Sequence, residues 1–364
     1  MDGKLKCPAP RAICNFSESD CRPGIVLNPY MAINAYAATS AGGLLEPFSY
    51  DPGPLGPHEV EIAVTHCGIC HSDLSMLNNE WGMSQYPLVP GHEVIGTLAA
   101  KGDAVTGLQL GQRVGLGWQS GSCARCEWCR TARQQLCDQE EGTIVHRHGG
   151  FADRVRATAD FVLPIPGALP SAEAAPLLCA GNTVYSPIIR HAVNGNMRAA
   201  VVGIGGLGHI AVQFLSKIGC EVTAISSSHS KDREARAFGA TSFIATKATD
   251  ELKKAAASFD FMISTVSASL PWNDYLAALR PQGVLVIVGV PDAEMPINAF
   301  GLIAKEKSLA GGRAGGPWDI SRMLDFAARH QVRAQVEKYP FAQVNDAMDR
   351  LKSGKARYRI VLEA

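Results

Sequence analysis

The stretch Ala199-Ala-Val-Val202-Gly203-Ile-Gly205-Gly206-Leu207-Gly208-His-Ile-Ala-Val-Gln-Phe-Leu-Ser-Lys-Ile218 decides how the second half of the chain folds. An apolar run of strand length, Ala199–Val202, enters a glycine-rich turn, and the turn opens a helical run over Leu207–Ile218. In that setting the glycines have a physical purpose: lacking side chains, they let backbone N–H groups approach a pyrophosphate at the positive end of the helix. Gly203, Gly205, Gly206, Leu207 and Gly208 are therefore candidate cofactor contacts. Outward from this turn, strands are expected at Val222–Ser226, Phe243–Ala245, Phe261–Val266 and Val284–Gly289, with helices at Lys231–Phe238 and Asp274–Leu279 between them. Such alternation predicts a doubly wound parallel sheet, because parallel neighbours need crossover connections.

The end of the second of these strands carries a further signal. An acidic side chain about twenty residues past the glycine turn would bind a ribose 2′-hydroxyl. Here the strand ends in Ile225-Ser226-Ser227-Ser228-His229-Ser230-Lys231, with no Asp or Glu between Val222 and Lys231. A carboxylate there would repel a 2′-phosphate, whereas hydroxyls and a lysine would hold one. The pattern predicts NADP(H) over NAD(H).

The first half reads differently. Short β-type runs around Val60–Val64 and His92–Leu98, separated by Gly and Pro turns, predict an all-β or mixed barrel. After Gly316 an amphipathic helix, Ile320–Arg329, leads to a strand-like tail at Tyr358–Leu362. Residues 1–30, with Cys7, Cys14 and Cys21 among prolines, show no periodicity and are expected to be a disordered extension.

Eleven cysteines are many for a chain that is not expected to be secreted, and their grouping points to metal. Cys123, Cys126, Cys129 and Cys137 fall within fifteen residues, in too large a domain to be the staples of a small secreted fold. Four soft thiolates at this spacing favour tetrahedral zinc in a closed, structural cage. An iron–sulfur cluster and unrelated buried thiols are the alternatives. A second set joins Cys67-Gly-Ile-Cys70-His71-Ser72-Asp73 to Gly91-His92-Glu93 and the distant Cys179. Two thiolates and one imidazole, from Cys70, His92 and Cys179, would leave zinc an open position for water or a substrate oxygen. Spacing leaves Cys67, His66 and His71 as rival ligands and Cys179 as possible core filler.

Composition bounds the rest. With 34 basic against 34 acidic residues, charge alone would not hold a nucleic acid. The most apolar run, Val284–Val288, is far short of the ~20 residues of a membrane span. A soluble, cytoplasmic protein is expected.

These motifs together resemble the zinc-dependent alcohol dehydrogenases of the medium-chain dehydrogenase/reductase superfamily, within them the cinnamyl alcohol dehydrogenase group. The likeness runs from about Met31 to Ala364 and includes Tyr86-Pro-Leu-Val-Pro-Gly-His92-Glu93, Gly149-Gly150-Phe151, Leu178-Cys179-Ala-Gly181 and Lys355-Ala-Arg-Tyr-Arg359. It implies an α/β chain with a GroES-like mostly-β catalytic domain at 31–180 and 316–364 and a Rossmann cofactor domain at 181–315. By the same resemblance Cys70, His92 and Cys179 bind catalytic zinc, Glu93 is a nearby carboxylate that binds it when substrate is absent, and Cys67 is a bystander. Asp73 orients the ligand histidine, and Ser72, with His71 beside it among the catalytic candidates, takes the alcohol proton. Thr183, Ser226, Ser227, Ser228 and Lys231 face NADP(H), and Trp81 and Met83 are candidate pocket walls. Two zinc ions per chain follow from the four- and three-ligand sets, and a homodimer from the family.

Three departures stand out. Ser75 replaces a histidine that passes the relay proton outward, so the relay is expected to end elsewhere, through cofactor ribose and water. Glu141-Gly-Thr-Ile replaces a stretch that carries a tryptophan in plant enzymes, which weighs against a lignin-precursor preference. Arg313 stands near the nicotinamide end, where an apolar residue is usual. The expected activity is NADP(H)-dependent interconversion of aromatic or medium-chain primary alcohols and aldehydes. An NAD-dependent polyol or adduct dehydrogenase would want the missing acid, a zinc-free quinone reductase would lack the ligands, and a non-catalytic zinc-stabilised binding protein would not need the open site.

Overall fold

The computed structural model describes residues 32–247, 249–291 and 293–364. The extension expected over 1–30 lies outside the described residues, as do its cysteines.

Six parallel strands form the sheet in the second half, in the spatial order Ser242–Ala245, Glu221–Ser226, Arg198–Val202, Phe259–Ser264, Leu279–Ile287 and Ser308–Gly311. In chain order this is 3-2-1-4-5-6, so the winding reverses between Arg198–Val202 and Phe259–Ser264, and a crevice opens at their carboxyl ends. Both faces are covered: Ala199, Val201, Ile263 and Val286 pack with Phe214 and Tyr185, while Ala200, Val202, Met262 and Leu285 pack with Trp272 and Tyr275. Each large side chain buried in this way contributes roughly 1.5–3 kcal/mol. Continuous apolar runs in the sequence are the signature of a sheet covered on both sides. The glycine turn is sterically forced: a Cβ on Gly208 would lie 1.8 Å from the Gly203 carbonyl oxygen, and Gly203 itself has φ +88°.

Two strands depart from the sequence reading. The run expected at Val284–Gly289 belongs to a longer strand, Leu279–Ile287, that begins directly after the helix Trp272–Ala278. The edge strand Ser308–Gly311 left no signal, because it is short and half open to solvent.

The main sheet of the β-rich lobe runs in the order Val336–Pro340, Arg359–Glu363, Glu59–Ile69, Val94–Lys101, Arg113–Leu116, Val162–Pro164, with Arg154–Thr158 also paired to Glu59–Ile69. Its pairs are antiparallel except Val336–Pro340 with Arg359–Glu363. The last strand therefore zips onto the first long one, Ile360 opposite Ile69, and the two ends of the chain share a core of Val60, Ile62, Leu98, Phe151, Ile360 and Leu362.

Where the lobes meet, His209 is fully buried near the start of the helix Gly208–Ile218. Its Nε2 accepts from the Gln335 N–H at 3.2 Å, which leaves Nδ1 to donate to the Gly205 carbonyl at 2.9 Å. Its ring stacks on Tyr358 at 4.8 Å. Burial pushes its pKa from 6.5 down to about 3. Between those values the unfolded chain binds a proton that the folded chain refuses, so the stability tied to this neutral imidazole is present above pH 6.5 and is lost as pH falls toward 3. Urea unfolding at several pH values should give a loss of up to about 1.4 kcal/mol per pH unit from this group. His209→Gln should flatten the slope in that window, and equal slopes for variant and parent would contradict the assignment.

Candidate metal centres and dinucleotide crevice

Strand Glu59–Ile69 ends just before Cys70, which caps the helix His71–Leu77 from an extended conformation. The cap is pinned by Asp73, whose Oδ2 accepts from the Cys70 N–H at 2.9 Å. The other oxygen, Oδ1, accepts from the Gly91 N–H at 2.8 Å and from His92 Nδ1 at 2.9 Å. One fully buried carboxylate thus holds two sequence-distant ligand candidates in place and fixes which His92 nitrogen carries hydrogen. Cys179, at the start of the helix Ala180–Arg190, brings its Sγ to 4.0 Å from Cys70 Sγ.

The ligand atoms of Cys70, His92, Glu93 and Cys179 lie within 4.8 Å of one another, and all four residues are buried. His92 Nε2 and Glu93 Oε2 have no hydrogen-bond partner among the described residues. An orphaned imidazole nitrogen in a sealed site costs about 1–3 kcal/mol, and a metal ion facing it removes that cost. Cys67 is buried but outside the set, its Sγ turned toward the Gly68 carbonyl at 3.7 Å. His66 bonds Thr65, and His71 is exposed; neither joins the cluster.

Electrostatics follow from the crowding. A hydrogen bond from Cys179 holds Cys70 well below the ordinary thiol range, and the same bond keeps Cys179 protonated. Burial disfavours a charged His92, but the Asp73 carboxylate and Cys70 together outweigh it and raise the pKa well above 6.5. Burial pushes Glu93 up to about 7 against the opposing pull of Arg359.

The second cluster sits on one loop. Cys126 caps the short helix Glu127–Arg130, which carries Cys129, and Cys137 follows the turn Gln134–Leu136. Their sulfurs, with Cys123, also fall within 4.8 Å of one another, with Cys126–Cys129 at 3.5 Å and Cys123–Cys129 at 3.9 Å. A tetrahedron with ~2.3 Å metal–sulfur bonds has edges of about 3.8 Å, so the spacing fits zinc. Backbone N–H groups of Arg125 and Cys126 lower the Cys123 thiol to about 6, toward the thiolate a metal needs.

Comparison with known proteins agrees with this geometry. The model of the alcohol dehydrogenase GroES-like domain matches residues 56–167 and that of zinc-binding dehydrogenases matches 206–329. The chain is 49% identical over 330 residues to the aldehyde reductase AdhA of Synechocystis sp., covering 91% of this chain and 98% of that protein. This chain belongs to the zinc-dependent medium-chain alcohol dehydrogenases, in the cinnamyl alcohol dehydrogenase-like group. It is also 38% identical to the NADP-dependent alcohol dehydrogenase C 1 of Mycolicibacterium smegmatis, over 91% of this chain and 97% of that one. Among solved structures, the Sorghum bicolor cinnamyl alcohol dehydrogenase SbCAD4 superposes with a TM-score of 0.87 at 40% identity, covering 92% and 98% of the two chains.

In this dehydrogenase two residues near the first cluster escaped the sequence reading. Arg359, 4% exposed, donates through Nη2 to Glu93 Oε1, and its Nη1 lies 3.1 Å from where a Cβ on Gly206 would stand. It spans the gap between metal cluster and glycine turn. The Trp118 ring meets His92 edge-on at 5.1 Å, and Trp81 meets Trp118 at 6.0 Å. Trp81 and Met83 are 42% and 40% exposed, so they are not core filler. Ser72 Oγ lies 3.7 Å from Cys70 Sγ, while Ser75 donates to Glu80 at 2.7 Å.

On the cofactor side, Ser226 ends its strand, Ser227 and Ser228 are exposed, and Ser228 bonds Ser230 at 2.9 Å. Lys231 donates to the Ile204 carbonyl within the glycine turn and lies 5.1 Å above the Tyr358 ring. Thr183 is half-buried, its N–H bonded to the Cys179 carbonyl at 2.8 Å.

Asp73→Asn should weaken metal binding at the Cys70 cluster about 10–100-fold. Cobalt(II) titration followed by the thiolate charge-transfer band reads this directly, and an undiminished affinity would show that Asp73 serves the fold only.

Proposed function

We propose that this alcohol dehydrogenase interconverts aromatic or medium-chain aliphatic primary alcohols and aldehydes with NADP(H), using one zinc ion held by Cys70, His92 and Cys179. The observation that carries the reading is the buried, partnerless His92 Nε2 beside two free thiols, connected through Glu93 and Arg359 to the glycine turn. When bound, the zinc supplies a Lewis acid for the substrate oxygen and the nicotinamide a hydride donor or acceptor.

The chain's own residues supply the rest. Asp73 holds the His92 ring with Nδ1–H turned inward, leaving Nε2 free to ligate. Ser72 Oγ, beside Cys70, takes the alcohol proton or returns it to the forming alkoxide. Ser75 is bonded to the exposed Glu80, and the relay from Ser72 would end through the cofactor ribose and water. Trp118 and Trp81 give the entrance apolar walls suited to an aldehyde side chain. Arg359 pairs with Glu93 and offsets the charge of the carboxylate that stands beside the ligand set.

Ser226, Ser227, Ser228 and Lys231 would take the 2′-phosphate, Lys231 exchanging its bond to the Ile204 carbonyl for the stronger charge pair. Gly203, Gly205, Gly206, Leu207 and Gly208 would hold the pyrophosphate, with Thr183 near the nicotinamide side. The four-cysteine loop would carry a second, structural zinc. The relatives named an aldehyde reductase and an NADP-dependent alcohol dehydrogenase support the same reading. A homodimer is supported by the open edge strand Ser308–Gly311 and by Val290, Phe300 and Ile303, each at least 71% exposed. Thiolate cages need reduced cysteines, which supports a cytoplasmic location; among the described residues no helix is long and apolar enough to cross a membrane.

Loss of NADPH absorbance with benzaldehyde or a medium-chain aldehyde is the direct test, and no turnover by fully metallated protein would favour a binding role. Ser226→Asp should lower the NADPH to NADH ratio of kcat/KM by at least about 10-fold, through repulsion of the 2′-phosphate. An unchanged ratio would remove the cofactor assignment.

Native mass spectrometry should find two chains with about four zinc ions, two from each chain. One zinc per chain would eliminate a cage, and a monomer at micromolar concentration would eliminate the dimer.

A further inference from the structure

Arg313 is the residue whose charge the functional reading does not use. It lies two positions beyond the carboxyl end of the edge strand Ser308–Gly311. Its side chain leaves the parallel sheet and reaches the four-cysteine loop. Nη2 sits between both carboxylate oxygens of Glu140, at 2.9 and 2.8 Å, and Nη1 donates to the Gln135 carbonyl.

The two partners flank Cys137, and the Glu140 N–H returns to the Cys137 carbonyl at 3.0 Å. Gln119 Nε2 also donates to Glu140 at 2.8 Å, which fixes the carboxylate from the other side. Glu140 is largely covered, with 16% of its side chain exposed. A lone surface ion pair contributes little, but one guanidinium joined to two acceptors in a partly covered network belongs to the stronger class.

The near end of the contact is equally tied. The Gly312 N–H donates to the Ile287 carbonyl at 2.8 Å, where the neighbouring strand ends. The Gly315 carbonyl accepts from Asn182 Nδ2 at 2.8 Å, and Asn182 lies three residues past Cys179 on its helix. The loop from Gly311 to Gly316 therefore joins the end of the parallel sheet, the helix behind Cys179 and the four-cysteine lobe. The adenosine half of a dinucleotide belongs over Glu221–Ser226, so its nicotinamide half must run the other way, over the ends of Phe259–Ser264, Leu279–Ile287 and Ser308–Gly311.

We propose that Arg313 is a positioning residue that clamps this loop to the Cys137 turn, so that the four-cysteine lobe sets the floor on which the nicotinamide half rests. The clamp gives the lobe a role in cofactor binding beyond its own stability. It rests on the reading that this crevice binds NADP(H).

The test compares zinc-loaded parent enzyme with Arg313→Met, Glu140→Gln and the double variant, titrating NADPH by fluorescence and, separately, adenosine 2′,5′-bisphosphate, which fills only the adenosine half. Each single variant should raise the NADPH Kd about 5-fold, with the double variant no worse than either, and the fragment should bind as before. Unchanged NADPH affinity in both single variants would overturn the clamp. So would an equal loss for the fragment, since that reports a general loosening of the fold. Should Arg313→Met fail to fold, Glu140→Gln alone decides, because it removes the charge pair from the other side and leaves only the bond to the Gln135 carbonyl. Failure of the parent enzyme to bind any dinucleotide would instead overturn the reading of the crevice.

Discussion

The carboxylate of Asp73 accepts from the Cys70 N–H, the Gly91 N–H and His92 Nδ1 while fully buried. Each such bond to a buried charge is worth about 1.5–3 kcal/mol, and removal of any donor leaves part of the charge uncompensated. The Cys70–His92 juxtaposition depends on this one group, because Cys70 stands at the end of one long strand and His92 just before the next. Without it the strands would still pair, but nothing would dictate that thiol and imidazole face each other. Gly91 shows how tight the junction is: a Cβ there would lie 2.6 Å from the Phe151 ring and 2.9 Å from Cys67 Sγ.

A second constraint links the lobes. Arg359 lies on the final strand and meets Glu93 across a sequence separation of 266 residues, while its guanidinium lies under the glycine turn. Beside it, Tyr358 packs against His209 and lies under Lys231, and its hydroxyl donates to Glu234. Two consecutive residues of the tail thus touch the Cys70–His92–Glu93–Cys179 cluster, the glycine turn and the segment around Lys231. The returning tail completes the crevice as well as the β-sheet, and this gives the strand pairing of Ile360 with Ile69 a functional consequence.

The parts that were legible in the sequence share a physical basis. The glycine turn is read from neighbours in the chain, where steric need and helix polarity act over a few residues. The four-cysteine cage is equally local, since a short loop cannot carry its sulfurs far apart. By contrast, Trp118 sits in a segment with no periodicity, and only its edge-on approach to His92 distinguishes it from an ordinary aromatic. Arg359 looked like one of three basic residues in Lys355-Ala-Arg-Tyr-Arg359, although it alone of the three is buried.

By itself the sequence determined the class of fold, the alternation of strands and helices around the glycine turn, and the grouping of four cysteines on one loop, because chain spacing of a few residues fixes a distance. Tertiary structure decided the side on which Cys67 and Cys70 fall, the isolation of His71, the partner of Glu93 and the reach of Arg313 across to Glu140. These depend on strand ends, on register and on contacts between segments up to hundreds of residues apart, where chain spacing fixes no distance at all.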